Sequence, residues 1–154
     1  ALFFALIGMI YGRTRTRDVT KMGGLLKVIP FISLIYVIAG LASLGLPGFS
    51  GFMAEMQIFV GAFEHPDMFH RVATIITVSA IVVTAVYILR VVGIMLMGPV
   101  VHQEYFSFGK ATWYERTGVL LLLIPIVFMG VTPLWLSDLI RDSLEPFIRQ
   151  MAHV

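Results

Sequence analysis

One acidic side chain stands where chemistry is hardest to hide. Glu55 lies inside "GLPGFSGFMAEMQIFVGAF", residues 45–63, a stretch otherwise made of apolar or small residues. An ionised carboxylate at membrane depth is expensive, about 2.5 to 3.5 kcal/mol on insertion scales at a helix centre, so it must face protein or water, find a partner, or take up a proton. A group of that kind can load and release protons. Just before it, Gly45, Pro47, Gly48 and Gly51 interrupt the apolar run. Irregular backbone survives at membrane depth only where it is buried in protein or lines a wet cavity, and broken helices recur at ion sites in transporters. The alternative is that Glu55 lies near an interface and merely snorkels.

Other candidates carry less. Arg90 shares a helical neighbourhood with Thr84 and Tyr87 at spacing three. It either pairs with a distant carboxylate or snorkels to the headgroups, the second being favoured, so Tyr87 and Arg90 stand only as possible supports. His65, Asp67 and His70 fall close together, but short loops gather such residues because they are solvated. No tetrahedral ligand spacing is evident, so no metal site is expected. His102 and His153 read as loop and tail residues. "KMGGLLK" lacks the P-loop pattern and follows no strand. No catalytic triad, paired-carboxylate motif or dinucleotide fingerprint is present, and the absence of Cys removes disulfides, thiolate metal sites and thiol catalysis.

The elements that must position these groups are membrane helices. Of 154 residues, 58% are hydrophobic and 13% charged, against about a quarter charged in soluble domains, and the mean hydropathy is +0.93. A net charge of +2 gives no footing for nucleic acid. "ALFFALIGMIY" supplies only half a span, has no basic region before it and is followed by "GRTRTR". The expectation is therefore that residues 1–11 end a truncated helix, and that the chain is the C-terminal part of a longer one. Further apolar blocks cover residues 28–46, 49–63, 72–97 and 117–136, the last with a kink at Pro125. Residues 137–152 place Leu139, Ile140, Leu144, Phe147, Ile148 and Met151 on one face, as in an interfacial amphipathic helix.

Residues 28–63 would form a helix about 54 Å long if straight, against a hydrocarbon core of about 30 Å. Either two full helices meet in a hairpin at "GLPGFSG", or one crossing is made of two half-helices. Loop charge selects the second. Arg13, Arg15, Arg17, Lys21 and Lys27 make residues 12–27 cytoplasmic or matrix-facing, whereas residues 64–71 hold Glu64 and Asp67 against Arg71. An odd number of crossings lies between them. The expected fold is thus all-α: a polytopic transmembrane bundle with one discontinuous helix at 28–63, helices at 72–97 and 117–136, and an amphipathic tail whose end lies on the side opposite the basic loop.

"YGRTRTRDVTKMGGL" followed by "LASLGLPGFSGFMAE" resembles the NuoM-type, antiporter-like subunits of respiratory complex I, the NADH:quinone oxidoreductase. The resemblance implies a fourteen-helix fold with two inverted repeats, each holding a broken helix. This chain would supply the end of the eleventh helix, the broken twelfth, the thirteenth, the fourteenth and the tail. It further implies that Glu55 exchanges protons with the outer half-channel. A Glu marks the NuoM type, where NuoL- and NuoN-type relatives usually carry Lys. It implies NuoL- and NuoN-type neighbours, the lipid bilayer, water and protons as partners, in a bacterial or mitochondrial inner membrane. Flavin, iron–sulfur clusters and quinone would be bound in other subunits and no cofactor on this chain. Ser33, Tyr36 and Ser43 on the first half-helix are candidates for supporting a water chain. A basic residue frequent near the cytoplasmic end of the thirteenth helix is replaced here by Gly93 and Ile94. A cation/proton antiporter or membrane-bound hydrogenase subunit of the same fold, and a purely structural scaffold, are the competing functions.

Overall fold

The computed structural model describes residues 1–102, 105–106, 108–109, 111–135, 138–140 and 144. The expected amphipathic helix over 137–152 falls largely outside the described residues. Within them the chain is helical, without strands.

Helix α1 spans Leu2–Thr14 and buries Leu2, Leu6 and Ile10, one face at spacing four. It runs three residues past the expected end at residue 11. Arg15 stops it in the left-handed region (φ 53°), its N–H returning to the Tyr11 carbonyl. The basic loop then folds on itself: Asp18 accepts hydrogen bonds from the Thr20 N–H (3.0 Å) and hydroxyl (2.6 Å) over a single 3₁₀ turn. The Thr20 hydroxyl first, and its N–H second, hold the Asp18 carboxyl below its ordinary value.

A short helix, α2 (Leu25–Val28), is separated from α3 (Pro30–Ser43) by Ile29, which has left helical geometry. Pro30 sits at the first position of α3, where its missing N–H costs nothing and its fixed φ suits the helix. The "KMGG" segment, which lacks a phosphate-loop pattern, has a packing role here. The Gly23 and Gly24 backbones lie against residues 99–101, too close for a side chain, and the Gly24 N–H donates to the Met97 carbonyl at 3.3 Å.

Helix α3 is the hub. Ile32, Ser33, Ile35, Tyr36, Ala39 and Gly40 are all buried, and α1, α5 and α6 pack around them. Phe3 meets the Tyr36 ring edge-on, centroids 4.9 Å apart, the arrangement aromatic quadrupoles favour. A Cβ on Gly40 would lie 3.3 Å from Ile88 and 3.7 Å from Val92. Within a bilayer lipid tails are as apolar as the core, so close packing across small residues, rather than water exclusion, holds such helices together.

After α3 the chain leaves helical geometry over residues 44–49, and α4 follows as Ser50–Glu64. Helix α5 (Met68–Leu96) returns alongside both. Its second half meets α3 at Gly40, while Thr74, Ile75 and Val78 of its first half face Phe59, Val60 and Phe63 of α4. So α3 and α4 stand end to end along α5, not side by side as a hairpin would place them. With 14 and 15 residues, the two reach only about 21 and 22 Å each. The crossing is discontinuous.

Helix α6 (Trp113–Val131) begins four residues before the expected 117 because of a capping box: the Thr112 side chain and the Glu115 side chain each satisfy the other residue's backbone N–H. It continues through Pro125. Among the described residues, α5 and α6 are the helices long and apolar enough to cross a membrane. Both keep most of their apolar side chains uncovered, Val82, Val83 and Leu121 at 66% exposure each. A helix apolar on its outward face is covered by lipid or by other membrane helices.

Candidate functional site

The break is built from the end of α3 and the start of α4. The Leu44 N–H is shared between the Gly40 and Leu41 carbonyls, and those of Gly45 and Leu46 turn back to Ala42 and Leu41. This closes the last turn of α3. Gly45 (φ 63°) and Gly48 (φ 97°) are both left-handed, the region that costs an L-residue about 1 to 2 kcal/mol. Pro47, exposed between them, cannot continue a helix. Gly51 seats the first turn of α4 close to α3: a Cβ there would come 3.0 Å from the Ala42 carbonyl oxygen. The four break residues expected from the sequence therefore do separate jobs in one small volume.

Glu55 is brought into the same volume. Helical side chains tilt toward the N-terminus, and that of Glu55 folds back along α4 until its carboxylate covers Gly45. A Cβ at Gly45 would clash with it, the carboxyl carbon lying 3.0 Å away. Glu55 is half-buried. Among the described residues no hydrogen bond or ion pair to its carboxylate is found. The acid thus sits at the gap between the carbonyl end of α3 and the amide end of α4, where two half-helix dipoles terminate.

The supporting residues divide. Ser33, Tyr36 and Gly40 follow one another at spacing three and four on the buried face of α3. The Ser33 Oγ is sealed from solvent without a hydrogen-bond partner. A cavity of about 550 Å³ between α1, the basic loop and α5 reaches Tyr36 and has Thr16 and Arg17 on its wall. Ser43, at the end of α3, is exposed. Tyr87 and Arg90 are exposed on α5, turned away from the Ile88 and Val92 side that meets α3, and the structure does not bring them to Glu55.

Two features escaped the sequence reading. Gly130 of α6 faces the carbonyl of Gly48, so closely that a Cβ would overlap that backbone. The break is therefore braced by a third helix. Nothing in "FMGV" signals this, since the contact is between segments far apart in the chain. The second is a bidentate ion pair between Arg13 and Glu115 (2.6 and 2.9 Å), with the Arg13 guanidinium also donating to the Met9 carbonyl at 3.1 Å. The "TWYE" capping pattern is a helix-start signal that the expected start at 117 passed over; for its partner on α1 the sequence holds no signal.

The "NADH:quinone oxidoreductase/Mrp antiporter, TM" family model matches residues 1–84, which hold the break and Glu55. Among curated relatives, NADH-quinone oxidoreductase subunit M of Rickettsia felis is 29% identical over 94% of this chain and 29% of its own length. NAD(P)H-quinone oxidoreductase chain 4 2 of Synechococcus sp. (strain JA-3-3Ab) is 31% identical over 96% of this chain and 29% of its own. The chloroplastic chain 4 of Marchantia polymorpha is 32% identical over 86% of this chain and 28% of its own. The chain thus spans under a third of the length of these relatives, and its similarity to subunit M and chain 4 proteins runs along almost all of it. With the family model matching more than half of the chain and the helical fold in agreement, this is a membrane protein of the NADH:quinone oxidoreductase/Mrp antiporter transmembrane family.

Proposed function

We propose that the chain is part of a proton-translocating membrane-arm subunit, of the NuoM type, of an NADH:quinone oxidoreductase, with Glu55 as its intramembrane proton-exchange group. The observation that carries this reading is the Glu55 carboxylate folded onto Gly45 in the gap between α3 and α4. A structural acid would be expected to hold a cationic partner; an acid that exchanges protons needs room for water and freedom to lose its charge. Charge arriving along the polar axis of the subunit drives the proton off Glu55 toward the outer side, and reloading follows when that charge withdraws. Tyr36, on the wall of the cavity that reaches the basic loop, and the buried Ser33 hydroxyl one turn before it support a water path; Ser43 is a candidate at its break end. Tyr87 and Arg90 take no part.

Redox chemistry belongs to other subunits, which bind the flavin, the iron–sulfur clusters and the quinone. NuoL- and NuoN-type subunits flank this one in a bacterial or mitochondrial inner membrane. The basic loop faces the cytoplasm or matrix. The test is NADH-driven proton uptake by inverted vesicles carrying Glu55→Gln, with assembly verified in the same preparation. The expected result is an assembled complex whose uptake falls sharply. Wild-type uptake and wild-type quinone reduction together would leave Glu55 a structural residue and favour a scaffold.

A second reading is supported by the matched family, whose description includes the Mrp antiporters. As part of an antiporter, the same site would exchange protons for a cation. Transport would then proceed without NADH or quinone and would respond to a Na⁺ gradient.

A further inference from the structure

Independently of that reading, we propose that His65, Asp67 and His70 form a divalent transition-metal site, for Zn²⁺ in the first instance, joining the end of α4 to the start of α5. In the sequence these residues looked like solvated loop side chains without ligand spacing. The fold changes their relation. One ligand atom from each lies within 4.8 Å of the other two. The His65 and His70 rings stand 4.0 Å apart, and His70 Nδ1 is 3.7 Å from Asp67 Oδ2. That nitrogen is shielded from solvent yet has no hydrogen-bond partner, an arrangement a bound cation would relieve.

Two imidazoles and one carboxylate are a borderline donor set. It suits Zn²⁺, which takes four tetrahedral ligands at about 2.0 to 2.2 Å, and not Ca²⁺ or Mg²⁺, which require oxygen alone. Ligands at those distances lie about 3.4 Å from one another, so rotation of His65 and Asp67, both exposed, closes the site and leaves one position for water. The Asp67 N–H donates to His65 Nδ1 at 3.4 Å and already draws the loop together. The local charge favours a cation, since Glu64 and Asp67 outnumber Arg71. No residue of α4 is fully buried, so an ion here would pin the half-helix that carries Glu55 against α5.

The test is a Zn²⁺ titration of the protein purified from its membrane in detergent after metal stripping, with Co²⁺ absorption as the spectroscopic probe. Variants with His65→Ala and His70→Gln are compared with His102→Ala, a histidine outside the cluster. The expected result is one fewer bound ion per chain, or affinity weakened about tenfold or more, in the first two variants only. The visible Co²⁺ bands should disappear with it, and Zn²⁺ should raise the melting temperature of the unaltered protein but not of the His65→Ala variant. Because His65 is exposed in a loop, that variant is expected to fold normally. Equal stoichiometry and equal Co²⁺ spectra in all three variants would overturn the proposal and leave Asp67 and His70 an ordinary surface pair.

Discussion

The carboxylate of Glu55 occupies the space that a side chain on Gly45 would need, although ten positions of sequence and a helix break separate the two residues. Acid and break are therefore one structure. A change in either is felt by the other, and this gives the break a sharper test than removal of the acid alone.

Gly45→Ala should destabilise the protein by about 1 to 2 kcal/mol from the left-handed backbone alone. In the unaltered background it should also displace the Glu55 carboxylate. Denaturation of the detergent-solubilised protein measures the cost. In a Glu55→Ala background only the backbone part should remain, so equal costs in both backgrounds would mean that the Gly45–Glu55 contact carries no energy.

Gly130→Ala forces a methyl group into the backbone at Gly48 and Phe49, and overpacking of this kind costs about 1 to 3 kcal/mol. The matched control is Gly118→Ala on the same helix, where nothing lies within 4 Å. That substitution should be neutral or should stabilise by up to about 1 kcal/mol through helix propensity. Similar melting temperatures for the two variants would remove α6 as the brace of the break.

The Arg13–Glu115 pair ties α1 to α6 with both groups only partly exposed, at 14% and 26%. A double-mutant cycle with Arg13→Ala and Glu115→Gln should give a coupling of about 1 kcal/mol, toward the upper end for pairs near a surface because the geometry is bidentate. Additive effects would show that the pair is a geometric coincidence.

The Asp18 carboxyl is held below its ordinary value by the Thr20 hydroxyl and N–H, which bond its ionised form. A depressed folded-state value means that this ordering is present above the unfolded value and is lost as pH falls through the folded one. Amide exchange at Thr20, corrected for intrinsic rate, should therefore speed up only on acidification below the ordinary carboxylate range. Asp18→Asn should make it insensitive to that change.

The sequence alone determined the class of this protein. Long apolar blocks cannot be folded as a soluble domain, and the alternation of basic and acidic loops favoured an odd number of crossings between them. Gly45, Pro47 and Gly48 marked the break because left-handed geometry and a missing N–H are properties of single residues, and the apolar surroundings of Glu55 made it stand out without any structure. What only the tertiary structure decided are relations between distant segments. That Gly130 braces Gly48, that Arg13 reaches Glu115, that Gly23 and Gly24 seat residues 99–101, and that Tyr87 and Arg90 lie exposed while Ile88 and Val92 meet α3 depend on how the helices lie against one another. A local pattern carries no trace of this, because inside a membrane a residue that faces protein and one that faces lipid are equally apolar. The His65, Asp67 and His70 cluster lies between these cases. Its members were visible in the sequence, but only the turn from α4 into α5 brought their ligand atoms within reach of one ion.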